Sequence, residues 1–201
     1  TSRVDAEGGS GALLVWAPDA TMPYRGSRFV AGNRFVLAAG ASLASVDWVQ
    51  AGRSRMARED GSGERWAFDS FESRTTWRTE DGDATDSMRL DESSSRAAFD
   101  IGGIRRDVSA VVALSGHRTG QAKERCQQLA LYLAKRSGAR VKSIQNNVRL
   151  SLSGSATLGI SSKGSSLLVA RLVASEPEDA YRILHYCLKP LEAFLGFAPY
   201  A

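Results

Sequence analysis

The residues of this chain whose types and spacing could do chemistry are mostly arginines. Arg28 and Arg34 each interrupt an otherwise apolar segment, which puts them on the wet face of a strand. Arg53, Arg55 and Arg58 follow at close intervals; on an extended segment Arg53 and Arg55 share a face and form a basic strip suited to a phosphate backbone. The same spacing also suits a charged edge strand that discourages aggregation. Trp66, Phe68, Phe71 and Trp77 lie among polar residues and arginines, an arrangement that either stacks bases or forms the buried face of one strand. His117 and Arg118 occupy a glycine-flanked loop ahead of a helix, where free backbone amides favour an anion. The sequence offers that histidine no acid or base partner.

Signatures of catalysis do not occur. The chain has no G-x-S-x-G elbow, no phosphate-binding loop ending in Gly-Lys-Ser/Thr, no H-E-x-x-H and no paired-cysteine metal motif. Cys126 and Cys187 each fall on the apolar face of a predicted helix and read as buried free thiols. With His117 and His185 they make no zinc spacing. The expectation is a non-enzyme with no metal and no cofactor. A net charge of +4 and a pI of about 9.3 mildly favour an anionic partner.

The elements that must position these residues are legible in part. Residues 1–10 are small, polar and glycine-rich and read as a disordered end; residues 11–201 read as a single domain whose 43% hydrophobic content is enough for a core. Apolar runs predict strands over 12–17 and 43–49, and two shorter pieces within 25–39 on either side of a turn at Gly32 and Asn33. The six acids of 80–92 predict an exposed loop around a short strand, 87–90. Strands over 96–101 and 107–114 precede a helix capped by Thr119, with Ala122, Cys126, Leu129, Ala130 and Leu133 on its apolar face and Gly138 at its end.

The last quarter predicts a meander and a helix. Val148, Leu150 and Leu152 alternate with polar residues, Gly154 and Ser155 turn the chain, Ala156, Leu158 and Ile160 repeat the alternation, and 167–173 is apolar on both faces. Ser175, Pro177 and Glu178 mark a helix start. Leu184, Leu188, Leu191 and Leu195 form a stripe broad enough to suggest burial against another subunit, and Pro190 predicts a kink or two helical pieces. The pattern is α+β: a strand-rich stretch plus helix over 11–138 and a second over 139–197, which fits an internal duplication with a long insertion in the first copy. The absence of a long apolar run predicts a soluble chain with no membrane association.

The two ends resemble a known family. Val15-Trp16-Ala17-Pro18 and Tyr24-Arg25-Gly26-Ser27-Arg28-Phe29 resemble the opening of the Whirly single-stranded-nucleic-acid-binding family, and the segment from Tyr181 through Pro190 to Leu195-Gly196-Phe197 resembles its closing helix. The departures from the plant pattern point to the trypanosomatid mitochondrial RNA-binding proteins of that fold. The resemblance implies a duplicated antiparallel four-stranded sheet plus helix, sequence-tolerant single-stranded RNA binding, annealing of guide RNA to messenger RNA in mitochondrial RNA editing, and a homo- or hetero-tetramer with a paralogue. A start at Thr1 rather than methionine fits a removed transit peptide. Basic residues on exposed sheet faces would meet phosphate: Arg25, Arg28, Arg34, Arg53, Arg55, Lys142, Arg149 and Lys163. The alternatives are organellar single-stranded DNA binding and a non-catalytic structural subunit of a larger ribonucleoprotein assembly.

Overall fold

The computed structural model describes residues 2–5, 11–52, 64–91, 99, 104–136, 152, 154–163 and 166–201. Its strands are β1 (Ser2–Asp5), β2 (Leu13–Trp16), β3 (Arg28–Val36), β4 (Ser42–Gln50), β5 (Ser70–Thr79), β6 (Gly82–Asp91), β7 (Val108–Ser115), β8 (Ala156–Lys163) and β9 (Leu167–Ala174). Helix α1 (Gly120–Arg136) lies between β7 and β8, and α2 (Pro177–Leu188) follows β9. A 3-10 turn, Lys189–Leu191, and the short α3 (Glu192–Leu195) continue α2.

The strands form two sheets, an outer one ordered β1-β3-β5-β6 and an inner one ordered β2-β4-β7-β9-β8. Both are mixed, since β1–β3, β2–β4 and β3–β5 pair in parallel and the other pairs are antiparallel. The inner sheet is covered on both faces, which explains why β4 and β7 read as nearly continuous apolar runs. On one face Ala44, Val46, Trp48, Ala110, Val112 and Leu172 pack against Cys126, Leu129, Ile183 and Leu184 of the helices. On the other, Leu43, Val111, Ala113 and Val169 meet Phe35 and Trp77 of the outer sheet. Successive strands from β1 to β5 therefore alternate between the two layers, and both long helices back the inner sheet.

Two expectations on the outer sheet are corrected. Gly32 and Asn33 do not turn the chain: β3 runs straight through them because both are held in register, Gly32 opposite Arg74 and Asn33 opposite Thr75. The acid-rich segment is not a loop around a short strand but the ten-residue β6, paired along its length with β5. Its acids are compatible with a strand because Asp83 and Asp91 face water while Asp86 turns inward to an arginine.

The closing helix starts near the expected place, with Pro177 in its first turn, but its cap is not Ser175. Glu176 holds the cap position without a side-chain bond. The stabilising group is Asp179, fully buried, whose carboxylate accepts the Gly154 backbone N–H at 2.7 Å and a bond from Arg182 at 3.1 Å. Pro190 divides the helix into two pieces as predicted, and Gly196, at φ 77, ends it in the left-handed region. The leucine stripe is accounted for inside the chain: Leu184, Leu188 and Leu191 are fully buried in the core beneath the inner sheet, with Leu195 packed against the same cluster. The inference from stripe width to a second subunit is corrected accordingly, because α1 supplies the surface that a partner was expected to provide.

Candidate functional site

Between the two sheets the core is not uniformly apolar. The cluster of Phe35, Leu43, Trp77, Val111 and Val169 lies at one end, and a second of Val49, Trp66, Phe68, Phe71 and Leu90 at the other. A polar belt separates them. In the outer sheet Asn33, Thr75 and Asp86 stand side by side in register, with Ser73 two residues along β5. Facing them, Asp47 of β4 accepts hydrogen bonds from the hydroxyls of Ser73 and Thr75, the latter at 3.3 Å. The Asn33 amide donates to Thr75 at 3.4 Å. Arg171 of β9 binds Asp86 and reaches the Ser161 hydroxyl at 3.4 Å. At the belt's edge the Trp77 indole N–H donates to Ser45 at 3.0 Å.

These contacts satisfy polar groups and fix how one sheet sits on the other, since sliding a strand by two residues would drive the carboxylates toward the flanking apolar clusters. Ser73 beside Asp47 lacks the imidazole that would make its hydroxyl a nucleophile. His185 lies elsewhere, its Nδ1 3.2 Å from the Pro199 carbonyl oxygen.

A cleft of about 840 Å³ opens at the end of the inner sheet among Ala17, Asp19, Tyr181, Leu195, Phe197 and Tyr200. Its wall is tied down by the Pro18 carbonyl, which accepts from Trp48 Nε1 at 2.8 Å and from the Tyr200 hydroxyl at 2.7 Å, while the Tyr181 hydroxyl donates to Asp19 at 3.1 Å. Burial raises the pKa of both tyrosines, assisted for Tyr181 by its bond to Asp19. Both phenols therefore stay protonated at neutral pH. Cys126 and Cys187, on α1 and α2, are free and buried, as the sequence predicted; hydrogen bonding to Cys126, then burial, holds the Cys187 thiol well above the usual cysteine range.

Four of the eight predicted basic residues lie among the described residues. Arg25 lies in the exposed turn before β3, where the Ser27 hydroxyl donates to the Tyr24 carbonyl at 2.6 Å. Arg28 and Arg34 share the exposed face of β3, and Arg28 is paired with Asp69 at 3.3 Å. Lys163 ends β8 in the other sheet. Arg53, Arg55, Lys142 and Arg149 lie outside the described residues, as do the strand predicted over 148–153, apart from Leu152, and that over 96–101, apart from Phe99. Phe71 and Trp77 are buried on the inner face of β5, and Trp66 and Phe68 are buried ahead of it, so these rings are core rather than a platform for bases. What the sequence reading missed is Arg74, exposed on β5 beside Gly32, and the belt residues Asp47, Ser73, Thr75 and Asp86. The alternation of β5 marks Arg74 as outward; no local signal marks the belt.

A two-sheet scaffold, backed by helices and tied internally by a polar belt, is a structure fitted to hold surfaces in place for other molecules. A family model, the UreD urease accessory protein, matches residues 1–201, and the chain belongs to that family. It is similar to urease accessory protein D of Arabidopsis thaliana, with 28% identity over 213 residues, 98% of this chain and 68% of that protein. Urease accessory protein UreD of Sorangium cellulosum is 36% identical over 125 residues, 61% of this chain and 37% of that protein. UreD of an Anaeromyxobacter species is 46% identical over 71 residues, 35% of this chain and 22% of its own length. The chain thus spans about two thirds of the plant relative, and its matches to the two bacterial ones cover much less of them.

This membership overturns the Whirly resemblance and what hung on it: RNA binding, guide-RNA annealing in RNA editing and a tetramer with a paralogue. The segments that carried the resemblance have local structural reasons. Pro18 follows β2 to present a carbonyl to Trp48 and Tyr200, Tyr24–Ser27 is a tight turn, and Pro190 and Gly196 break and end a helix.

Proposed function

We infer that the chain serves urease as a non-catalytic accessory, holding urease or a protein of its assembly in the state from which active enzyme forms. The observation that carries this reading is the match of the UreD urease accessory model to all of residues 1–201. The geometry is in keeping with it: the side chains that could do chemistry are committed to structure, Ser73 to Asp47, Asp86 to Arg171 and the two thiols to each other, and the exposed features are flat sheet and open cleft. The partner is then a protein surface rather than a nucleic acid.

Affinity purification of the tagged protein from urease-producing cells tests this. Urease or its assembly proteins should co-purify in stoichiometric amount, and nuclease treatment should leave the complex intact. Recovery of RNA with no urease-related protein would contradict the reading.

A further inference from the structure

We propose that the exposed face of the outer sheet docks a short acidic segment of a partner protein, with carboxylates seated on Arg34 and Arg74. The inference rests on this face alone and does not depend on the urease reading. Strand pairing sets Gly32, Arg74 and Ser87 in one row across β3, β5 and β6, and Arg34, Thr76 and Thr85 in the next. Arg34, Arg74, Thr85 and Ser87 are exposed on this side. The two arginines sit on neighbouring strands, two residues out of step, which separates their Cα atoms by about 8 Å from ordinary strand spacing and rise.

Two other arginines of the face are already engaged, and a third, Arg89, stands in register opposite Glu72. Arg28 pairs with Asp69 at 3.3 Å, and Arg78 makes two bonds of 2.9 Å to Asp83. Arg34 and Arg74 have no hydrogen bond or ion pair among the described residues. Nothing lies within 4 Å of where a Cβ on Gly32 would be, so the surface beside Arg74 is open to close approach. Ser87 adds a hydroxyl donor, the bonded pair of Thr76 and Thr85 hydroxyls, 3.3 Å apart, adds one more, and planar guanidinium groups bind carboxylates in two-pronged fashion.

The neighbouring rows fix the kind of occupant. Each is charge-balanced, Glu72 standing opposite Arg89 on one side and Asp83 paired with Arg78 on the other, so the uncompensated positive charge is confined to the lane of Arg34 and Arg74. A nucleic-acid strand running on past the two arginines would gain nothing from the balanced rows, whereas a segment with two or three acids matches the length of the lane. Charge complementarity over so short a lane therefore selects an acidic protein segment.

Fluorescence anisotropy with a labelled Glu-rich synthetic peptide at low salt, using the full chain, tests the proposal. Each charge-assisted bond lost should weaken binding roughly tenfold, and R34E/R74E should weaken it by more. R136E, at the exposed end of α1 behind the inner sheet, should bind as the parent does. Unchanged affinity in R34E/R74E, with an unchanged circular dichroism spectrum, would overturn the proposal. So would a single-stranded RNA oligomer that binds more tightly than the peptide and is lost in the same variant, since the occupant would then be nucleic acid.

Discussion

The indole N–H of Trp77, in the outer sheet, donates to the hydroxyl of Ser45, in the inner sheet, at 3.0 Å, and both side chains are buried. It is a link between layers that share no backbone ladder, so the cost of breaking it reports directly on how the sheets are held together. S45A leaves a buried N–H without a partner, and the expected loss is about 1–3 kcal/mol. Urea denaturation of the variant should show a lower midpoint with an unchanged slope; an unchanged midpoint would mean that the sheets are held by the apolar clusters alone.

Asp179 makes a second prediction. Its buried carboxylate joins the start of α2 to Gly154 and Arg182, so D179A removes acceptors from both and should destabilise by roughly 2–4 kcal/mol. D179N, which keeps one acceptor oxygen but loses the charge, should fall between. Thermal melts of the three proteins check the order.

The thiols and phenols set the alkaline limit. Cys187, Tyr181 and Tyr200 all have folded pKa values raised above their ordinary ones. Above a pH of about 8.5 for cysteine and about 10 for tyrosine the unfolded chain gives up protons that the folded chain keeps. Their contribution is complete below those values and is lost as pH rises. Urea midpoints should therefore fall from about pH 8.5 upward, and less steeply in C187A. A thiol reagent at neutral pH should reach neither cysteine until the protein unfolds.

The leucines of the closing helix give a fourth test. Since Leu188 and Leu191 lie in the chain's own core, L188A should cost about 2–5 kcal/mol, and L191D should prevent folding rather than release folded monomers. Light scattering beside circular dichroism separates the two outcomes.

Much of the inner sheet and the helices was legible in the sequence because their signals are local. Apolar runs at 43–49 and 107–114, the alternation at 156–160 and Pro177 with Glu178 each mark an element by its own residues. The outer sheet was harder. Gly32-Asn33 carries turn residues, and only pairing on both sides, to β1 and β5, keeps it extended. The acids of β6 read as a loop because the arginine that donates to Asp86 is 85 residues away. The belt depends on the same kind of long-range meeting, Asp47 with Ser73 and Thr75, and periodicity does not report which faces of which sheets will touch. The resemblance misled because a proline after a strand, a turn before one and a glycine at a helix end are punctuation that unrelated folds share.

The most direct measurement of the central claim is urease activity per unit of urease protein, in urease-producing cells from which this protein has been deleted. Deletion should leave urease present, by immunoblot, but with activity reduced at least tenfold, and re-expression should restore it. Full activity per unit of enzyme in the deletion strain would contradict an accessory role.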